Sequence, residues 1–253
     1  MKTKSGIKAL LKKTTLATDE RALSEILSSL APTYIKKPER VAFVNAHALN
    51  LCFKNSDFLQ HLLQSEHIFR DGSGMKILYR MLGVDPGLNL NGTDLIPRII
   101  GLYAGQDVAL LGTEEPFLGR AANAVREKGV TPVLTMDGFR EDDAYLEALR
   151  NQPASLIILA MGMPKQERVA ALLAAKLPYP CLIVCGGAIL DFIGGKVTRA
   201  PVIFRRLGME WVYRLAQEPR RLFQRYVIGN FVFLFRGFGL AMDRMYVKSF
   251  NQK

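Results

Sequence analysis

Four short segments of this 253-residue sequence place polar, glycine-rich or charged residues directly after an apolar run. They are Val44-Asn45-Ala46-His47, Arg70-Asp71-Gly72-Ser73-Gly74, Gly162-Met163-Pro164-Lys165-Gln166-Glu167 and Gly186-Gly187-Ala188, the last followed by Asp191. Asp71 stands between an arginine and a Gly-x-Gly. A carboxylate in a cleft takes a proton from a hydroxyl, and glycine beside it lets a ligand come close to the backbone. An aspartate at that point is equally a helix N-cap, so both readings are open. In Gly162–Glu167 the proline keeps its predecessor out of helical geometry, and Lys165, Gln166 and Glu167 open the next helix. Free N–H groups there, with Lys165 and Gln166, could hold a phosphate or a uracil edge; an ordinary strand-to-helix loop with proline in the first turn has the same pattern. Gly186-Gly187 and Gly112-Thr113 either cradle a phosphate or permit close packing. Neither completes G-x-G-x-x-G, which argues against a nicotinamide cofactor, and the absence of G-x-x-x-x-G-K-[ST] excludes a P-loop. The histidines (His47, His61, His67) and cysteines (Cys52, Cys181, Cys185) lack zinc spacing, so no metal site is expected and His47 reads as a pocket wall.

These residues need elements to hold them. Strands are expected at Arg40–Val44, His67–Arg70, Asp107–Leu111, Thr131–Leu134, Ser155–Ala160 and Cys181–Cys185. Helical patterns lie between them: one running to Leu63, then Gly74–Leu82, one capped by Thr93 over Asp94–Tyr103, Pro116–Lys128, Asp142–Arg150 and Lys165–Lys176. Continuous β-branched runs separated by helices predict an α/β fold, with a Rossmann-like, mostly parallel sheet and helices on both faces. Ligands of such sheets bind beyond the carboxyl ends of the strands, where all four segments fall.

Composition is that of a globular chain, with 49% hydrophobic and 23% charged residues. The net charge of +11 is unevenly spread: +5 on residues 1–40, −3 on 41–195 and +9 on 196–253. The chain therefore divides into a basic N-terminal segment (1–39), an α/β core (40–200) and a basic, aromatic, helical C-terminal appendage (201–253). The lysines of the N-terminal segment belong to no motif that assigns them a role. From 196 onward arginine outnumbers lysine nine to three, and 201–253 holds 11 of the 23 aromatics. Arginine matches phosphate bidentately, and interleaved aromatics suit a lipid headgroup interface. The longest late apolar stretch, Tyr226–Phe235, has ten residues where a span needs about 20, and the N-terminus is a poor secretory signal. Buried-looking cysteines point to a reducing compartment. The chain is thus expected to be cytoplasmic and to lie on a membrane without crossing it.

In order and type, these motifs resemble the WecG/TagA/CpsF family of bacterial glycosyltransferases, from about Arg40 to Phe235. The resemblance rests on Asp71-Gly72, on Gly92-Thr93-Asp94, on GMPKQE (Gly162–Glu167), and on GGAILDFIGGKVTRAP (Gly186–Pro201) continuing into Arg206–Asn230. It implies inverting, metal-independent transfer from a UDP-sugar to a polyprenyl-diphosphate-linked sugar at the inner face of the cytoplasmic membrane, with no cofactor. It further implies Asp71 as the general base toward the acceptor hydroxyl. Donor or acceptor contacts would come from Asn45, Gly72, Gly92, Thr93, Asp94, Gly112, Gly162, Pro164, Lys165, Gln166, Glu167, Gly186, Gly187 and Asp191. Arg199, Arg206, Arg214, Arg221 and Arg225 would hold the acceptor diphosphate. Two positions depart from the family: Phe43 where a threonine is common and Asn89 where an arginine is common. The donor is then N-acetylmannosamine, its uronic acid or a plain hexose, and self-association is left open. Two rival classes are a nucleic-acid-binding module and an oxidoreductase. A nucleic-acid-binding module would use the arginines and aromatics for single-strand stacking, although the spacing GMEWVYRLAQEP is unusual for such a surface, so no nucleic-acid partner is expected. An oxidoreductase lacks its glycine fingerprint.

Overall fold

A computed structural model describes residues 2–242, the side chains of Lys2, Arg206 and Arg221 excepted. Six strands, β1 (Glu39–Val44), β2 (His67–Arg70), β3 (Asp107–Gly112), β4 (Thr131–Met136), β5 (Leu156–Ala160) and β6 (Leu182–Cys185), form one sheet in the order β2-β1-β6-β5-β3-β4. Every pair is parallel. All six expected strands are present within two residues of their predicted bounds.

Parallel strands need crossovers, and these are right-handed, so the direction of each step decides which face its helix covers. The steps from β2 to β3 and from β3 to β4 run one way across the sheet and put helices Gly92–Leu102 and Phe117–Arg126 on one face. There they bury Val41, Phe43, Leu110, Ile158 and Val184. The steps from β1 to β2, β4 to β5 and β5 to β6 run the other way. Their helices, Ala46–Cys52, Ser56–Gln64, Asp142–Asn151 and Lys165–Lys176, cover Ala42, Val44, Ile68, Ala109, Leu111, Ile157 and Ile183. Successive strand residues point to opposite faces, and both faces are apolar, which is why these strands read as unbroken hydrophobic runs.

The basic N-terminal segment is built into this core. Ile7, Leu10 and Leu11 of helix Lys2–Lys13 are buried in the same apolar layer as Phe58, Leu62 and Tyr79. Helix Glu20–Ser29, capped by Asp19 through the Ala22 N–H at 2.8 Å, buries Leu23 and Leu27 on the opposite face. Between the two helices, Thr15 N–H donates to Ile68 O at 2.7 Å and shields the β2 edge. The segment wraps that edge like a clasp, with Lys4, Lys12 and Lys13 exposed on the outer side of its first helix.

The C-terminal appendage is a string of helices, Val202–Arg206, Glu210–Gln217 and Pro219–Phe223, then a π-helical turn at Gln224–Ile228 and helix Gly229–Met242. The last helix docks on Ala46–Cys52 and Gly72–Met81, burying Phe233 and Leu240. A Cβ on Gly74 would sit 3.4 Å from the Phe233 ring and 3.2 Å from Ala46 Cβ, so the small residue sets the closeness of this contact. Asn50 locks the joint: its Nδ2 donates to Gly229 O at 2.7 Å, and Arg236 donates to its backbone and side-chain oxygens at 3.1 and 2.9 Å. The Arg236 guanidinium also lies over the Phe53 ring at 4.5 Å. Among the described residues no helix is long and apolar enough to cross a membrane.

Replacing Phe233 by Ala removes the ring that plugs this joint, and should cost about 3–5 kcal/mol. Urea unfolding followed by circular dichroism measures it; a change below 1 kcal/mol contradicts the docked arrangement.

Candidate functional site

The carboxyl ends of β1, β2, β5 and β6 converge beneath the appendage. Asn45, just past β1, caps helix Ala46–Cys52: its Oδ1 accepts from the Ala48 N–H at 3.0 Å. That bond orients the amide, so Nδ2 faces Asp71 and donates to its Oδ2 at 3.3 Å. Asp71 holds the N-cap position of helix Gly72–Met81, yet its side chain makes no capping bond. The capping alternative is therefore not realised, and the carboxylate faces open space.

Two residues brace that turn. Arg70 is 1% exposed, and its guanidinium donates to Pro86 O (3.0 Å), Gly72 O (3.1 Å), Gly87 O (3.3 Å) and Leu88 O (2.6 Å). Asn89 Oδ1 accepts from the Gly72 N–H at 2.9 Å. Arg70 was only a strand terminus in the sequence; nothing in its spacing announces a clamp onto residues 86–88. Asn89, one of the two departures from the family pattern, thus holds the Asp71 turn.

Two cavities open on Asp71. The larger, of about 470 Å³, lies between the core and the appendage, with Asn45, His47, Asp71, Asn89 and Thr93 on one side and Arg205, Glu210, Trp211, Arg214, Arg225, Tyr226 and Phe231 on the other. The smaller, of about 320 Å³, lies over the sheet ends and is lined by Gly92, Thr93, Thr113, Phe139, Gly162, Gln166, Gly186, Gly187 and Asp191. Asn45, Asp71, Thr93, Arg214 and Arg225 border both. Among the described residues Asp71 is the only carboxylate that does so. Burial pushes its carboxyl above the ordinary carboxylate range, with Glu210 adding to the rise; the Asn45 hydrogen bond, Arg225 and Arg70 oppose it. His47, in the wall of the larger cavity, is driven down to about 4 by burial and then by Arg225, so its ring is neutral at neutral pH.

The remaining expected site residues separate into those at the cavities and those that hold the walls. Gly162 and Gly187 have φ of +78° and +61°, and a Cβ on either would meet no protein atom within 4 Å; each leaves backbone bare toward the smaller cavity. At Gly112 the close-packing reading is the one observed, because a Cβ there would lie 2.3 Å from Ala160 O. Thr113, at φ 50°, donates to Asp191 Oδ1 at 2.5 Å. The cap assigned to Thr93 belongs to Asn91, whose Oδ1 accepts from the Asp94 N–H at 2.9 Å, and the helix starts at Gly92. With the earlier cap in place, Thr93 is turned to both cavities. Asp94 pairs with Arg199 at 2.6 Å, and Arg199 also faces Glu210 at 3.7 Å. Arg199 thereby ties the appendage to the core and lines neither cavity. Lys165 likewise reaches away: its ammonium donates to Gly138 O at 3.0 Å and Arg140 O at 2.6 Å, fixing the loop after β4. Pro164 occupies the N-cap position before Lys165–Lys176.

Gln166 and Glu167 turn inward, at 1% and 2% exposure. Gln166 Oε1 accepts from the Gly187 N–H at 2.9 Å while its Nε2 donates to Glu167 Oε1 at 2.8 Å. Burial lifts the Glu167 carboxyl to about 7, and its Oε2 has no hydrogen-bond partner. On the appendage side, the Nε atoms of Arg205 and Arg214 are buried without a hydrogen-bond partner, and the Arg214 guanidinium lies 5.3 Å from the Phe192 ring. Two guanidinium groups with an unsatisfied Nε at a cavity rim are suited to an anion. The side chains of Arg206 and Arg221 lie outside the described residues. Phe139, 74% exposed at the mouth of the smaller cavity, had no sequence signal beyond following an Asp-Gly turn; Asp137 Oδ1 accepts from its N–H at 2.9 Å and holds it there.

The elevated Glu167 has a thermodynamic consequence. Unfolded, it ionises near 4.5; folded, it keeps its proton to about 7. Folding takes up a proton between those values, so the native state loses stability as pH rises through this window. Glu167→Gln removes the titration. Its stability relative to the parent should climb by about 3 kcal/mol between pH 4.5 and pH 8, which paired urea titrations at the two pH values will read; a flat difference contradicts the buried, uncompensated carboxyl.

Residues 10–245 match the family described as glycosyl transferase WecG/TagA/CpsF.

Proposed function

The chain belongs to the WecG/TagA/CpsF family of glycosyltransferases, which act in surface-polysaccharide synthesis, and from that premise we propose that it moves a sugar from a UDP-sugar to a polyprenyl-diphosphate-linked acceptor at a membrane surface. The observation that carries this reading is the place of Asp71, the carboxylate common to a polar cavity over the sheet ends and a more apolar one under the appendage.

The donor takes the smaller cavity. Its uracil stacks on Phe139, its ribose and phosphates pass the bare backbone at Gly162 and Gly187, and its diphosphate ends near Arg214 and Arg225. The acceptor sugar takes the larger cavity, with its own diphosphate toward Arg205 and the two shared arginines. Neutral His47 offers a ring nitrogen to sugar hydroxyls. The acceptor hydroxyl gives its proton to Asp71 as its oxygen attacks the anomeric carbon. The new C–O bond forms opposite the diphosphate, the old one breaks, and configuration inverts. Charge gathers on departing UDP, where fixed guanidinium groups stabilise it more in the transition state than before. The raised proton affinity of Asp71 favours its role as base. N-acetylmannosamine, its uronic acid and hexoses all remain donor choices.

The lipid leaves the larger cavity along the appendage. Helix Gly229–Met242 turns Phe231, Phe235, Phe238 and Met242 to solvent, with Phe235 82% exposed, and helix Val202–Arg206 exposes Val202 and Ile203. Together with the arginines, this surface supports peripheral membrane association.

Asp71→Asn should lower turnover at least 100-fold with UDP affinity little changed, as radiolabelled-sugar transfer and calorimetry would show; near-parent turnover removes Asp71 from the chemistry. The parent's kcat/KM should rise with pH through a value above the ordinary carboxylate figure of about 4. For the lipid-facing surface, Phe235→Ser with Phe238→Ser should weaken binding to anionic vesicles about tenfold or more while leaving UDP binding intact. Unchanged flotation would place the membrane contact elsewhere.

A further inference from the structure

Gln166 and Glu167 were expected at the ligand, yet both are almost wholly buried, Gln166 in the wall of the smaller cavity and Glu167 behind it, and their hydrogen bonds form a directed chain. Gly187 N–H donates to Gln166 Oε1 at 2.9 Å, and Gln166 Nε2 donates to Glu167 Oε1 at 2.8 Å. A primary amide can present either its oxygen or its nitrogen to a neighbour. Gly187 requires the oxygen. Only an acceptor on the far side of the amide rewards that orientation, and Glu167 is that acceptor. Flipped, Gln166 would set NH₂ against an N–H and leave both donors buried and unmade, an arrangement costlier than the loss of one ordinary hydrogen bond. The Gly187 backbone is in the left-handed region with empty space over its Cα, so its position decides how closely a ligand packs on the loop after β6.

We propose that Glu167 is a positioning residue that orients the Gln166 amide and thereby fixes the Gly187 loop as the floor of the nucleotide-diphosphate site; this rests on the reading of the smaller cavity as the donor site. Glu167 touches no substrate. It acts two bonds away, through one amide and one backbone N–H. A glutamine at 167 keeps a carbonyl oxygen for Gln166 Nε2, whereas leucine fills the space and offers none.

The full-length protein and its Glu167→Leu and Glu167→Gln variants would be compared by two measurements: hydrogen exchange at the Gly187 amide, read by NMR, and UDP affinity by calorimetry. Glu167→Leu should accelerate Gly187 exchange at least tenfold over neighbouring β6 amides and weaken UDP binding about tenfold. Glu167→Gln should restore most of both. Unaltered Gly187 exchange in Glu167→Leu, or a Glu167→Gln variant as impaired as Glu167→Leu, overturns the proposed relay. A uniform rise in exchange across β6 in Glu167→Leu overturns it too, as general destabilisation. If Gly187 responds as described but the parent binds no UDP, the relay stands and the donor-site reading falls.

Discussion

A buried guanidinium holds the centre of this molecule together. Arg70 ends β2 with its charge withdrawn from water, and four backbone carbonyls of residues 72 and 86–88 supply what water would have given. A buried cation is tolerated only when its donors are met, so the loop carrying those carbonyls must adopt one shape. That shape brings Asn89 to the Gly72 N–H and presents Asp71 with its side chain uncapped. Asn45 then reaches the freed carboxylate from the neighbouring strand. The site is thus braced from behind: Arg70 lines neither cavity, yet it shapes the turn that presents Asp71 to both.

The same division recurs elsewhere. Lys165 ties down the loop that carries Phe139, Gln166 holds Gly187, and Arg199 bridges core to appendage through Asp94 and Glu210. Residues of ligand-binding type therefore serve as struts, while bare glycine backbone and a loop aromatic face the opening. The guanidinium groups of Arg205 and Arg214, with buried Nε atoms left unsatisfied, are the exception: Arg205 lines the larger cavity, and Arg214 sits where the two cavities meet.

The appendage is a second wall, since without it the larger cavity has no roof. It docks by a ring in a glycine notch and by the Asn50 joint, and it still carries much apolar surface on its outer side. One helix can do both because Phe233 and Leu240 lie on one stripe of Gly229–Met242, and Phe231, Phe235 and Phe238 on others.

The strand order of types along the chain, the sheet with helices on both faces, and the carboxyl-edge address of Asn45, Asp71, Gly162 and Gly187 were legible in the sequence. Each follows from local patterning: β-branched runs, 3.6-residue periodicity and glycines at turns. The uneven charge likewise marked the appendage as a distinct surface. The sequence alone did not tell whether Asp71 caps its helix, nor that Thr93 yields its cap to Asn91, because the two choices differ by one hydrogen bond in a shared turn. It did not separate struts from lining residues among Lys165, Gln166, Glu167 and Arg199, and it left the lysine-rich first 39 residues without a place. Those outcomes were decided by the tertiary structure. Which side of a wall a side chain faces depends on partners 20 to 180 positions away in the chain, such as Gly187 for Gln166 or Gly229 for Asn50, and residue spacing carries information only about neighbours within a turn or a strand.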